Sequence, residues 1–229
     1  MTIIKYTDLG LIDYKIAWEK QKELFADVLE SKNNHDKSPL NYLIFCEHKH
    51  VYTLGKSGKP DNLLIDDKML SEKAIDFYQT DRGGDITYHG PGQIVGYPII
   101  NLESMKLGVK EYVHLIEDSI ILTLKNYDIE AERLDYATGV WIDTNNPLKV
   151  RKICAIGVKV SKFITMHGFA FNISTDLNFF SMINPCGFID KGVTSLEKEL
   201  GRKVELNDVK KVLLKNISEI FNAKIKLID

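Results

Sequence analysis

Pro185-Cys186-Gly187 places a thiol in a stretch without hydrophobic periodicity, the pattern of a loop. A cysteine attacks a carbonyl as its thiolate, so it needs a cation, a base or a helix N-terminus to lower its pKa from about 8.5. Cys46 and Cys154 instead fall inside apolar strand patterns, where a small buried hydrophobe is the default reading. Cys186 is therefore the better nucleophile, although residue type alone leaves an inert half-exposed thiol on equal footing. A second chemical feature is Arg82-Gly83-Gly84-Asp85-Ile86-Thr87-Tyr88-His89-Gly90-Pro91-Gly92-Gln93, which holds four of the fifteen glycines. Glycines without Cβ let backbone approach a ligand, while Arg82 and His89 add a cation and a titratable ring. The competing reading is a long irregular hairpin whose glycines serve its turns.

Lys152 opens a β-rich run, Ile153–Val160, with Lys149 and Arg151 before it. Charge pattern alone favours solvated cations at a strand entrance. Cys46-Glu47-His48-Lys49-His50 has the look of a metal cluster, but His48 and His50 would need further ligands, and no recognisable spacing supplies them; a zinc site is rejected. A thiol protease pairing Cys186 with His89 or His167 lacks any local signature of that class. His89 is expected to order the glycine loop and contact the substrate, whereas His167 lies in an apolar run and reads equally well as a core histidine.

The elements that must position these groups follow from periodicity. A first helix is predicted over Tyr14–Ser31 with Asp13 as its cap, and two more over Val109–Lys125 and Asp208–Phe221, each with an apolar stripe. Thr194-x-x-Glu197 reads as a capping box. Strands are predicted at Tyr42–Glu47, Val51–Leu54, Ile75–Tyr78, Val95–Ile100, Gly139–Ile142, Ile153–Val160 and Ile164–Ile173. Adjacent strand pairs mixed with separate helices define an α+β fold, one mixed sheet flanked by helices, with 1–229 read as a single domain.

Bulk properties narrow the function classes. A formal charge of −2 predicts no bulk affinity for nucleic acid. No apolar run approaches the ~20 residues of a membrane span, and Met1–Tyr6 does not resemble a secretion signal, so a soluble cytoplasmic protein is expected. Three widely spaced cysteines fit a reducing compartment better than a disulfide framework.

Taken together, the motifs resemble the octanoyltransferases of lipoate biosynthesis. That pattern reads Arg-Gly-Gly-x-x-Thr-Tyr-His-Gly-Pro-Gly-Gln, then Lys-Ile-x-Ala-Ile-Gly, Met-His-Gly-x-Ala-x-Asn and Pro-Cys-Gly, here beginning at Arg82, Lys152, Met166 and Pro185. Flanking matches run from Ala17-Trp18-x-x-Gln21 through Glu47-His48 and Val51–Gly55 to Val193–Leu196, most of the chain. Four motifs in one order are far more specific than any one alone. Position 154 departs from the pattern, with cysteine where alanine or serine is usual.

The resemblance implies a biotin/lipoate protein ligase-like fold and no cofactor or metal. It implies that Cys186 carries an acyl thioester and that Lys152 lowers its pKa and moves protons. Acyl contacts are implied for Arg82, Gly83, Gly84, Asp85, Ile86, Thr87, Tyr88 and His89, for Ala155, Ile156 and Gly157, and for Gly168, Phe169 and Ala170. The implied donor is acyl carrier protein and the acceptors are lipoyl domains of 2-oxoacid dehydrogenase complexes and the glycine cleavage H protein. Two rivals remain: an ATP-dependent lipoate or biotin protein ligase, and a non-catalytic acyl- or carrier-binding module. Asp81-Arg82-Gly83-Gly84, where lipoate ligases typically carry a longer Arg-Arg-x-Ser-Gly-Gly-Gly, favours transfer, and retention of Lys152 and Cys186 argues against the module. Lys149, Arg151, Lys159 and Lys162 are weighed equally as a steering patch for an acidic carrier and as a solvated edge.

Overall fold

Alternation along the second strand shows how the chain builds two layers of core. In β2 (Tyr42–His48), Leu43 and Phe45 face one side and Tyr42, Ile44 and Cys46 the other, and every one of them is buried. One side is covered by α1 (Tyr14–Asn33) through Ala17, Leu24 and Val28. The other is covered by α3 (Val109–Lys125) and α5 (Leu206–Ile220), whose Ile116, Ile120, Leu213 and Ile217 meet Leu43 and Phe45. A strand buried on both faces belongs at the centre of a sheet with helices on each side.

The computed structural model describes residues 2–184 and 192–228. Its main sheet runs β12 (Ala223–Leu227), β1 (Thr2–Ile12), β2, β6 (Gln93–Ile99), β10 (Ile164–Asn172), β9 (Arg151–Ser161), β8 (Ala137–Ile142) and β7 (Glu132–Leu134). Pairing is parallel on both sides of β1 and antiparallel from β2 to β7, so the sheet is mixed as predicted. The pairing of β10 with β9 ends at Phe171 opposite Cys154, and β11 (Gly192–Val193) pairs in parallel with Arg151 and Lys152.

A second, three-stranded sheet was not foreseen. It consists of β4 (Asp76–Gln79), β3 (Val51–Leu54) and β5 (Ile86–His89). Part of the stretch read as one glycine loop is therefore a strand, and β2 and β3, though separated by only two residues, enter different sheets. Two short helices, α2 (Asp67–Glu72) and α4 (Leu196–Leu200), complete the set named here.

Two expected caps are built differently. Asp13 occupies the N-cap position of α1, but its side chain makes no capping bond and pairs with Lys49 at 3.0 Å. At α4 the cap is Ser195, which accepts from the Lys198 amide, one residue beyond the predicted box. Thr194 donates instead to Glu199 (2.5 Å), and Glu197 accepts from the Val204 amide (2.9 Å).

Candidate active site

A register shift puts Lys152 in place. Between Trp141 and Val140, β8 advances one residue while its partner β9 advances two, from Lys152 to Cys154, leaving Ile153 as the extra residue of a bulge. Strict alternation would put Lys152 on the opposite face from Ala155 and Gly157; the bulge brings all three onto the wall of one cleft. Gly139 makes this possible. It has φ of 128°, and a Cβ there would lie 2.5 Å from the Cys154 carbonyl oxygen and 3.4 Å from Lys152 Cε. Such a contact is forbidden for any larger residue at that φ.

The cleft has a volume of about 550 Å³ and lies between the glycine loop and strands β9 and β10. Arg82, Gly83, Gly84, Asp85, Ile86, Thr87, His89, Lys152, Ala155, Ile156, Gly157, Gly168, Phe169 and Ala170 all line it. Tyr88 does not. Alternation within β5 turns it away from its neighbours, into a separate core where its ring stacks on Phe179 and its hydroxyl lies 2.7 Å from His50 Nδ1. Cys186 lies outside the described residues. The chain enters that segment at Asn184, whose amide donates to Asn62 O (2.8 Å), and leaves it at β11, beside Lys152.

The glycine loop is tied down rather than open. Gly83 N–H donates to Val158 O (2.9 Å) and so is already engaged within the protein. Arg82 Nη2 donates to Thr53 O (2.6 Å) and Oγ1 (3.0 Å), and Asp85 accepts from Asn62 (2.7 Å) and the Ile86 amide (2.6 Å). Gly157 is small for the loop's sake: a Cβ there would meet Gly83 O at 2.8 Å and Arg82 Cδ at 3.2 Å. Gly168 is small for the sheet's sake, since its Cβ would lie 2.1 Å from Gly96 O. Both glycines line the cleft, and their missing Cβ also makes room for neighbouring backbone.

His89 is buried and neutral; burial, then the neighbouring His48, push its pKa well below the ordinary histidine value. Nδ1–H donates to Gln93 Oε1 (2.9 Å), Nε2 faces Thr53 Oγ1 (3.4 Å), and the ring stacks on Tyr14. Gln93 in turn donates to Asn172 Oδ1 (2.9 Å) and Asn172 to Thr194 O (3.0 Å). A hydrogen-bonded chain thus runs from Arg82 to Thr194, whose amide donates to the carbonyl of Lys152 at 2.9 Å.

His167, read as equally fit for the core, is both buried and part of the cleft wall. Its φ of 56° is a left-handed conformation rare outside glycine, held by a 2.9 Å bond from its amide to Gln21 Oε1. Nε2 donates to Asp81 Oδ1 (2.8 Å), and Lys159 pairs with the other oxygen (2.5 Å). Burial would raise the Asp81 pKa, but the hydrogen bonds from Lys159 and His167 outweigh it and hold the carboxyl low. Of the four cations considered as a steering patch, Lys159 is thereby neutralised, and Arg151 is paired with Glu199 and Asp143.

Neither remaining thiol fits a nucleophile. Cys46 and Cys154 are fully buried, and desolvation pushes both pKa values up. His48 and His50 diverge: the first lies 3.0 Å from Ile12 O and 2.7 Å from the Tyr97 hydroxyl, the second against Tyr88. Sequence reasoning missed Trp141, Gly139 and Tyr14 as parts of the cleft or its frame. Their roles depend on which strand lies beside which, and no local pattern carries that.

A mixed sheet covered by helices, with a cleft under a glycine loop, defines the fold of the lipoate and biotin protein ligases. Lipoate-protein ligase A bound with ATP superposes with a TM-score of 0.70 at 14% identity, covering 100% of this chain and 89% of that one. The bipartite lipoate protein ligase of Thermoplasma acidophilum gives 0.68 at 14%, over 100% and 87%. Biotin protein ligase from Aquifex aeolicus gives 0.53 at 12%, over 96% and 70%.

Sequence similarity is far closer elsewhere. The octanoyltransferase of Parabacteroides distasonis is 54% identical over 221 residues, 96% of this chain and 100% of that one. That of Cytophaga hutchinsonii is 51% identical over 226 residues, covering 96% and 93%. Residues 13–218 match the lipoyl protein ligase A/B catalytic domain, and the chain belongs to that family.

Proposed function

We propose that this protein is an octanoyltransferase of protein lipoylation, moving an octanoyl group from acyl carrier protein to a specific lysine of lipoyl domains through a thioester on Cys186. The observation that carries the reading is the bulge that turns Lys152 into the cleft beside β11, the strand that follows the Cys186 segment. In the first half-reaction Cys186 thiolate attacks the carrier thioester. The new sulfur–carbon bond replaces the old one, and Lys152 ammonium protonates the departing thiolate. In the second, the acceptor lysine attacks the acyl-enzyme, neutral Lys152 takes its proton, and Cys186 leaves as thiolate. Aminolysis of a thioester is downhill, so the cycle needs no nucleotide to drive it.

Among the described residues no helix is long and apolar enough to cross a membrane. Acceptors presented on folded domains fit this reading, with the specific lysine entering the cleft.

Intact-mass measurement after mixing with octanoyl-carrier in nucleotide-free solution tests the proposal. One octanoyl adduct is expected, mapping to Cys186, absent in Cys186→Ala and discharged by added lipoyl domain. An ATP-dependent product with release of AMP would place the chain with the ligases, and an adduct on Cys46 or Cys154 would overturn the nucleophile.

A further inference from the structure

The face of an aromatic ring lies against Lys152. Its Nζ stands 4.5 Å from the centroid of the Trp141 ring. That ring is almost wholly buried, and its Nε1–H donates to Ala137 O (2.8 Å) within the same strand, so its plane is fixed. The backbone between them is fixed as well. Gly139 N–H donates to Glu117 Oε1 of α3 (3.0 Å), and Glu117 is held by Arg133 Nε at 2.8 Å. Gly139 has no Cβ, so the Lys152 stem passes close by it and reaches the ring.

An indole face attracts a cation through its quadrupole and gives little to a neutral amine. We infer that Trp141 is a positioning residue whose indole face holds the Lys152 side chain in the cleft as the ammonium, so that the charge state required to sustain a thiolate is set by β8. The inference rests on the proposed pairing of Lys152 with Cys186. Among the described residues, charges around this end of the cleft pair with one another or with polar groups: Glu117 with Arg133, Arg151 with Glu199 and Asp143, Asp81 with Lys159, Asp85 with Asn62, and Arg82 with Thr53. His89 and His167 are neutral at working pH, burial lowering both. The platform also divides the cycle unevenly. It favours the ammonium needed for acylation and opposes the neutral amine needed for aminolysis.

Fluorine on the indole weakens the quadrupole with little change of shape, which separates the electrostatic role from packing. Mono-, di- and trifluorotryptophan would be incorporated at position 141, and the rate of iodoacetamide alkylation of Cys186 followed against pH by peptide mass spectrometry. The midpoint is expected to climb with each fluorine, by about half a pH unit or more across the series. Trp141→Leu should move it at least as far and Trp141→Phe less. A midpoint that stays flat through the fluorine series while Lys152→Ala raises it would overturn the platform and leave the Lys152–Cys186 pair standing. A midpoint indifferent to Lys152→Ala as well would overturn the pair, and the platform with it.

Discussion

The proposed cycle uses Lys152 first as a cation that sustains the thiolate and then as a base, and only lysine can do both. Arginine keeps its proton under any condition in which the protein is folded. Lys152→Arg keeps the charge that sustains the thiolate, and the carrier thiol can depart as its thiolate and take a proton from water. This variant is therefore expected to form octanoyl-enzyme yet fail to discharge it to a lipoyl domain, whereas Lys152→Ala should slow acylation itself, each by about 10²–10⁴-fold for the step it impairs. Single-turnover mass spectrometry, with the two half-reactions timed separately, decides this; equal losses in both steps for both variants would contradict the division of labour. Residue types in the glycine-rich motif marked Arg82 and His89, and the resemblance rather than the charge pattern marked Lys152; all three line the cleft. Two kinds of residue stayed hidden. Tyr88 shares a motif with true cleft residues, but in β5 its side chain leaves on the other face to stack on Phe179. Trp141 and Gly139 bear on Lys152 only because β8 pairs with β9 at a bulge, a relation between segments about ten residues apart that neither segment announces.

The glycine loop and β9 meet as two backbones with nothing between them, which makes Gly157 the most sensitive point of contact. A valine there would drive side-chain atoms into Gly83 O and Arg82 Cδ, and overpacking of this kind typically costs 1–3 kcal/mol. Gly157→Val is expected to lift residues 82–85 from the strand, break the 2.9 Å bond from Gly83 N–H to Val158 O, and raise KM for the octanoyl donor about tenfold or more. Gly108→Ala, at a glycine with open space around it and negative φ, is the control and should change neither. Hydrogen exchange at Gly83 reads the loop directly, and unchanged protection in Gly157→Val would refute the account. Helices were the most legible elements, because α3 and α5 bury one continuous stripe each. β1 was missed for the opposite reason: near the rim of the sheet, most of its residues are only half-buried and its pattern does not alternate cleanly. β5 was hidden by the glycines on either side of it, which mark the turns at its ends and not its interior.

Across the whole molecule, three buried histidines set an acid limit on the fold. His48, His89 and His167 all have pKa values lowered by burial, His48 to about 4. A histidine depressed in the folded state contributes stability that is fully present above its unfolded pKa near 6.5 and is lost as pH falls toward the folded value, because the unfolded chain takes up the proton first. For His48 the full loss amounts to about 3 kcal/mol, taking 1.36 kcal/mol per pH unit between 6.5 and 4. Its hydrogen bonds give the physical reason: Nδ1–H donates to Ile12 O, so Nε2 must stay bare to accept from the Tyr97 hydroxyl at 2.7 Å, and protonation turns that acceptor into a second donor. Carboxylates do not confuse the reading above pH 5, since in the unfolded chain they titrate near 4. Urea unfolding at pH 7.5, 6.5, 5.8 and 5.0 should therefore give a shallow loss of about 1 kcal/mol in the first interval and a steepening fall in the next two, with more than one proton taken up per molecule on unfolding at pH 5.0. His48→Gln, which keeps a donor and an acceptor but cannot titrate, should make the fall shallower. A stability that is level down to pH 5 would mean these rings accept protons while still folded, and would remove the basis for treating His89 and His167 as neutral walls of the cleft.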